Sequence, residues 1–206
     1  MSNAPIKVHH LNQSRSTRVI WLLEELNMPY DIVHHQRDTQ TRLAPNSLKE
    51  VHPLSKAPVI EHNEVVISES GAIVEYILDQ ARENPLRPEA GTAEYYRYLE
   101  WLHFAEGSLA LPVITSLLMG MEERDGQKPL DGYIAKELEL DLSYIDATLG
   151  KQHYFAGEQF TAADIMMAIS LEIATQIGLT NDRPNIIRFL AEMQNRAAYQ
   201  KARELG

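Results

Sequence analysis

Three short stretches hold the side chains best suited to chemistry. Lys56-Ala57-Pro58 sets a proline at the start of an apolar run, Val59-Ile60. A first strand position tolerates the missing N–H. A trans turn proline is the ordinary outcome, whereas a cis bond would turn the backbone of Ala57 toward the peptide groups of a ligand. Ile67-Ser68-Glu69-Ser70-Gly71 leads from an apolar run into a helical pattern. Unpaired N–H groups at such a helix start attract carboxylates, although Ser68 could simply cap the helix. The third stretch, Asn12-Gln13-Ser14-Arg15-Ser16-Thr17-Arg18, is a polar interval of hydroxyls, amides and cations between two apolar runs. The chain has no cysteine. That removes disulfides, thiolate metal sites, a cysteine nucleophile and any C-x-x-C pair. A thiol can take part only if it arrives on a ligand.

These stretches need elements to position them. Ile6–Leu11 reads as a strand, residues 19–26 as a helix with apolar residues at 19, 20, 22, 23 and 26, and Tyr30–His34 as a second strand. Strand, helix, strand in this span is a βαβ unit, so the two strands are expected to be parallel. Residues 37–57 read as irregular. Residues 58–61 and 65–67 read as a hairpin about His62-Asn63-Glu64, and a helical pattern opens at Ser68. Residues 81–91, with two prolines, a glycine and four charges, read as the linker. Beyond the linker the pattern is helical over 92–120, 130–149, 162–178 and 184–204. The third of these is nearly all apolar and so expected to be buried. The expected organisation is an α/β domain over 1–80, a linker over 81–91 and an all-α domain over 92–206.

Bulk properties exclude several classes. Lysine and arginine total 19 against 29 acidic residues, a formal charge of −10 over 206 residues, which repels nucleic-acid backbones. Uninterrupted apolar runs fall short of the roughly 20 residues of a membrane span. Met1–Pro5 lacks the blocks of a signal peptide, so a cytoplasmic protein without membrane or nucleic-acid partners is expected. Among the eight histidines, His9-His10 and His34-His35 fall on adjacent strands. Alternation sends neighbours to opposite faces. No third ligand stands at helical metal spacing, so no metal site is expected. Thr161 and Asp164 flank the start of the apolar helix as a variant capping box, with a structural role. Tyr95, Tyr96, Tyr98, Trp101 and Phe104 crowd one helix as core, pocket or interface.

The βαβ–ββα order, Ala57-Pro58 before the third strand and Glu69-Ser70 opening the next helix resemble the thioredoxin-like domain of cytosolic glutathione transferases. The segment Ser14–Leu26 resembles the first loop and helix of bacterial members. Phe155-Ala156-Gly157-Glu158-Gln159-Phe160-Thr161-Ala162-Ala163-Asp164 resembles the family's box before its buried helix. The resemblance covers nearly the whole chain. It implies a glutathione transferase fold, a homodimer, glutathione as co-substrate, and a small electrophile or peroxide as the second partner. Carried over by position, Glu69 and Ser70 hold the γ-glutamyl end, Ala57 beside Pro58 pairs with the cysteinyl backbone, and Lys56 and His52 meet the glycyl carboxylate. The family places its thiol-activating hydroxyl in the first loop. Counting back from Arg18, Ser14 matches the serine of one branch, and Ser16 comes second. Asn12, Gln13 and Thr17 are the remaining donors, and Ser16 could equally be the helix N-cap. The implied role is transferase and detoxification. The alternatives are a glutathione-dependent peroxidase or disulfide reductase, or a non-catalytic module on the same fold.

Overall fold

The computed structural model describes residues 4–205 and divides into two compact units, residues 1–85 with 195–206, and residues 86–194. Ser2-Asn3 and the rest of the first three residues lie outside the described range. The first unit carries a four-stranded sheet in the order β2-β1-β3-β4. Its strands are β1 (Ile6–Leu11), β2 (Tyr30–His35), β3 (Val59–His62) and β4 (Val65–Ser68). As the βαβ pattern predicts, β1 and β2 are parallel, from Ile6 opposite Tyr30 to Leu11 opposite His35. β3 runs antiparallel to β1 and to β4. The β3–β4 turn is made by Asn63 and Glu64, both at positive φ (48° and 67°). That is the backbone a two-residue type I′ hairpin requires, and asparagine tolerates it well.

Helix α1 (Thr17–Glu25) buries Val19 through Leu23 continuously, and α3 (Ser70–Gln80) buries Ile73, Val74, Ile77 and Leu78. Two features depart from the sequence pattern. Asn46–Val51 forms a short helix, α2, inside the stretch read as irregular. Leu48 is its one buried residue, so there was no apolar periodicity to detect. The single helix expected over 184–204 is two, α8 (Pro184–Gln194) and α9 (Ala197–Leu205).

Helix α9 belongs to the first unit and packs on α1. Trp21 meets Tyr199 edge-to-face at 5.0 Å. Arg196 grips Glu25 with two bonds, 2.6 and 2.8 Å, and Glu25 also accepts from the Trp21 indole at 2.9 Å. Lys201 bonds Glu24, which also accepts from the Tyr30 hydroxyl. Burial pushes the Glu24 carboxyl up, but these two partners hold it net below its usual range. A bidentate, charge-assisted pair that is mostly enclosed exceeds an exposed ion pair in strength. Glu25→Ala removes the acceptor of both guanidinium bonds and of the indole N–H bond. It is expected to lower stability by about 2 kcal/mol, read as a shift in the urea midpoint with unchanged slope.

The second unit holds α4 (Ala93–Phe104), a π-helical turn (Ala105–Leu109), α5 (Ala110–Met119), α6 (Pro129–Leu149), α7 (Ala162–Gln176) and α8. Helix α7 is its centre, buried from Ala162 through Glu172. The continuous run Ala93–Met119 is long and apolar enough to cross a membrane by length and composition, which uninterrupted apolar runs did not register. Here α4 packs against α7, with Tyr98, Trp101 and Leu102 buried. Trp101 stacks on Tyr144 at 5.1 Å and meets Phe155 at 4.7 Å, so the crowded aromatics divide. Tyr98 and Trp101 are core, Tyr95 and Phe104 are half-buried, and Tyr96 is 62% exposed.

The box before α7 is built around Asp164, which is fully buried. Its carboxylate accepts from the N–H of Phe155 (2.8 Å), the N–H of Thr161 (2.7 Å) and the hydroxyl of Thr161 (2.9 Å). The reach back to Thr161 is the one the sequence suggests. The bond to Phe155 adds a tie from the helix start to the preceding loop.

Candidate functional site

The sheet register gathers the chemically suited stretches at one end. His9 lies opposite Val59 in the antiparallel β1–β3 pair. The end of β1, with the loop 12–16 after it, therefore sits beside Ala57-Pro58 at the start of β3. Val59 lies opposite Ser68, so Glu69-Ser70 emerges at that same end. So does the end of β2, because His35 lies opposite Leu11.

The Ala57–Pro58 bond is cis. Among the described residues, nothing bonds the backbone N–H or C=O of Ala57. A half-buried residue flanking a strand with both groups unspent can pair with an extended peptide. Glu69, not Ser68, occupies the N-cap of α3, at φ 72° and ψ 121°. A glutamate in that region is strained, and such strain persists where the surroundings enforce it. Glu69 is exposed and Ser70 is buried at the first helical position. The leading N–H groups of α3 thus open beside Ala57. His52 ends α2, is half-buried, and its Nδ1 accepts from the N–H of Leu54 at 3.4 Å. Lys56 is exposed.

In the first loop Ser14 is half-buried and Ser16 fully so. Ser16 stands at the N-cap of α1, yet its hydroxyl makes no cap bond. Its Oγ lies 2.7 Å from Ser14 Oγ and 2.9 Å from Nδ1 of His10, and it accepts from the N–H of Leu11 at 3.3 Å. The N–H of Ser16 in turn donates to Ser14 Oγ at 3.2 Å. Thr17 is buried in the first turn of α1. Asn12 and Gln13 are held by two arginines. Asn12 Oδ1 accepts from the N–H of Arg37 (2.8 Å), and the Arg37 guanidinium donates to the carbonyls of Asn12, Gln13 and Arg42. Arg42 donates to the side-chain oxygen of Gln13. Burial, and then the charge of Arg42, push the Arg37 guanidinium below its usual value. Neither arginine was singled out from sequence. The parallel register that sets Leu11 beside His35 also sets residues 36–37 beside 12–13, and that was the available signal.

The four strand histidines divide by face, as alternation requires. His10 meets His34 edge-on at 5.8 Å. On the other face Glu61, His9, His35 and Ser47 form a chain: His9 Nε2 to Glu61 at 2.6 Å, His9 Nδ1 to His35 Nε2 at 3.0 Å, and His35 Nδ1 to Ser47 at 2.9 Å. The hydrogen bond from His9, against burial and with help from Lys7, holds the Glu61 carboxyl down. Burial, then the charges of His9 and His34, lower His35. The ring nitrogens of His9 and His35 are spent on one another, on Glu61 and on Ser47, and among the described residues no group of three or more metal-ligating side chains is placed to hold a metal ion. An open cleft of about 580 Å³ lies at the opposite end of the sheet, beside Met28, Pro29 and His62, and contains none of the residues named for the site.

A mixed four-stranded thioredoxin-like domain with a cis-proline before its third strand, followed in the chain by an all-helical domain, defines the architectural class of the protein. Residues 5–79 match the glutathione S-transferase N-terminal domain family, and residues 108–197 match the glutathione S-transferase C-terminal domain family. The chain belongs to the glutathione S-transferase family and is an enzyme of that family. Glutathione S-transferase 3 of Schizosaccharomyces pombe is 34% identical, over 97% of this chain and 87% of its own length. A glutathione S-transferase from Actinobacillus pleuropneumoniae superposes with a TM-score of 0.89 at 32% identity, covering 97% of this chain and 92% of that one. A family member from Pseudomonas fluorescens with two glutathione molecules bound superposes with a TM-score of 0.81 at 24% identity, covering 97% and 92%.

Proposed function

We propose that the first unit binds glutathione at this end of its sheet and lowers the thiol pKa for attack on a small electrophilic substrate. Glu69, Ser70 and the leading N–H groups of α3 take the γ-glutamyl carboxylate. Ala57, presented by cis Pro58, pairs with the cysteinyl backbone. Lys56 and His52 meet the glycyl carboxylate. Ser14, the more exposed hydroxyl, donates to the sulfur, and Ser16 acts from behind it. The observation that carries this assignment is the unspent Ala57 backbone beside the opening of α3, with the Ser14 loop at the same end of the sheet. The family and the glutathione-bound fold relative support glutathione as the ligand. A homodimer in the cytoplasm with a detoxifying role belongs to the same proposal.

The test is retention on glutathione resin, followed by turnover of an aryl halide, a hydroperoxide and a mixed disulfide. Retention with aryl-halide conjugation is the expected result. Retention with disulfide turnover alone would move the chain to the reductase alternative, which without cysteine has to run on glutathione only. Hydroperoxide turnover alone would make it a peroxidase, and retention with no turnover would leave a binding module.

A further inference from the structure

The hydroxyl behind Ser14 has more partners than protons. Ser16 Oγ touches four groups: the N–H of Leu11 at 3.3 Å, Ser14 Oγ at 2.7 Å, His10 Nδ1 at 2.9 Å and, at the outer limit, the carbonyl of Leu11 at 3.5 Å. A serine hydroxyl has one proton to give and two lone pairs to fill. Leu11 fills one lone pair. Two arrangements remain for the two short bonds. With His10 Nδ1 bare, Ser16 gives its proton to the ring and takes the proton of Ser14, which is then turned inward and lost to any ligand. With the proton on His10 Nδ1, the ring fills the second lone pair of Ser16, whose own proton goes to Ser14. Ser14 Oγ then accepts both the O–H and the N–H of Ser16, the latter at 3.2 Å. Its own proton is left to point out of the loop.

We infer that His10 is a positioning residue that holds its proton on Nδ1 and, through Ser16, turns the Ser14 proton outward to the glutathione sulfur. His10 is 2% exposed and Ser16 0%, so water does not compete for these two bonds. Hydrogen bonds in such a chain also polarise one another, which strengthens the terminal donor. His9, the neighbouring histidine, cannot take this role, because its two ring nitrogens bond Glu61 and His35 on the other face of the sheet. The inference rests on the assignment of Ser14 as the group that donates to the thiolate.

The experiment titrates bound glutathione by thiolate absorbance in wild type, Ser14→Ala, His10→Leu and His10→Asn. Binding of S-methylglutathione, which has no thiol, serves as the check on folding and affinity. Leucine removes the Nδ1 donor. The asparagine amide nitrogen stands close to where Nδ1 was and can donate to Ser16. His10→Leu is expected to raise the thiol pKa by about one unit and to lower turnover about tenfold below that pKa, with S-methylglutathione affinity kept. His10→Asn is expected to restore most of both. If Ser14→Ala raises the thiol pKa and a folded His10→Leu does not, the role of His10 is overturned while that of Ser14 stands. If Ser14→Ala has no effect, Ser14 itself is misassigned and the inference falls with it. Nitrogen chemical shifts of His10 in the wild-type protein give a readout independent of any variant. A protonated Nδ1 is expected, and a bare Nδ1 overturns the inference.

Discussion

Asp164→Ala is expected to cost about 3–5 kcal/mol of unfolding free energy at pH 7, measured by urea unfolding, while turnover per folded molecule is kept. The substitution leaves three buried donors without an acceptor: the backbone N–H groups of Phe155 and Thr161 and the hydroxyl of Thr161. Each stranded donor costs about 1–3 kcal/mol. Water cannot replace the carboxylate, because Asp164 and Phe155 are 0% exposed and Thr161 3%. The same enclosure has a pH signature. Burial pushes the Asp164 carboxyl up to about 6, outweighing the hydrogen bonds from Phe155, from Thr161 and from its own N–H that favour the charged form. Its folded pKa therefore lies above that of the unfolded chain, near 4. Between about pH 4 and pH 6 the folded state keeps a proton that the unfolded state has released, so this group's contribution to stability falls as pH rises through that window and is flat above it. Glu24 and Glu61, held below their usual range, act in the opposite direction at lower pH. The comparison that isolates Asp164 is wild type against Asp164→Asn, which does not titrate. The stability advantage of wild type is expected to shrink from pH 4 to pH 6. An advantage that grows instead would show that these hydrogen bonds outweigh burial.

Ser14→Ala is expected to raise the pKa of bound glutathione by about two units and to cut turnover at pH 6.5 by about fiftyfold. An unassisted cysteine thiol ionises near pH 8.5, so only a few per cent is thiolate at neutrality. Lowering its pKa by two units requires about 2.7 kcal/mol of preference for the anion. Within the loop, Ser14 is the hydroxyl that remains half-exposed, whereas Ser16 and Thr17 are buried. The loop is also rigid where it needs to be. Arg37 holds Asn12 by its side chain and by its carbonyl, and Arg42 holds the side-chain oxygen of Gln13. The donor is thus fixed before the ligand arrives, so little ordering entropy is left to oppose the bond. The deficit of Ser14→Ala is expected to shrink as pH rises past the thiol pKa of the variant. A deficit independent of pH would assign Ser14 to binding or alignment in place of ionisation.

The βαβ–ββα order was legible because each strand is a compact apolar run and α1 shows full helical spacing from Val19 to Leu26. The Thr161–Asp164 box was legible because capping chemistry is local in sequence. Helix α2 was not, since one buried leucine in six residues leaves no periodicity. The break between α8 and α9 was hidden for a different reason. Both halves are amphipathic, and the interruption at Asn195-Arg196 places the guanidinium on Glu25, a partner 171 residues away. In the candidate site, Ala57-Pro58 and Glu69-Ser70 announce themselves by residue type, but His10 does not. A histidine in a strand looks the same whether it fills space or orders a proton. What separates the two is a hydroxyl six residues on that turns back to meet it.

The path of the chain through the two units bears on when the protein can finish folding. The first unit needs residues 195–206, so about 110 residues of the second unit are synthesised between its opening segment and its closing one. At roughly 5–20 residues per second the ribosome takes about 5–20 s to make them. During that interval α1 exists without α9, and Trp21 and Glu25 lack the Tyr199 ring and the Arg196 guanidinium that cover and neutralise them. The end of the sheet proposed to bind glutathione is thus encoded first, yet the unit that carries it is the last to be sealed. A nascent chain halted before residue 195 is left with an open apolar seam, a natural target for chaperones and proteases.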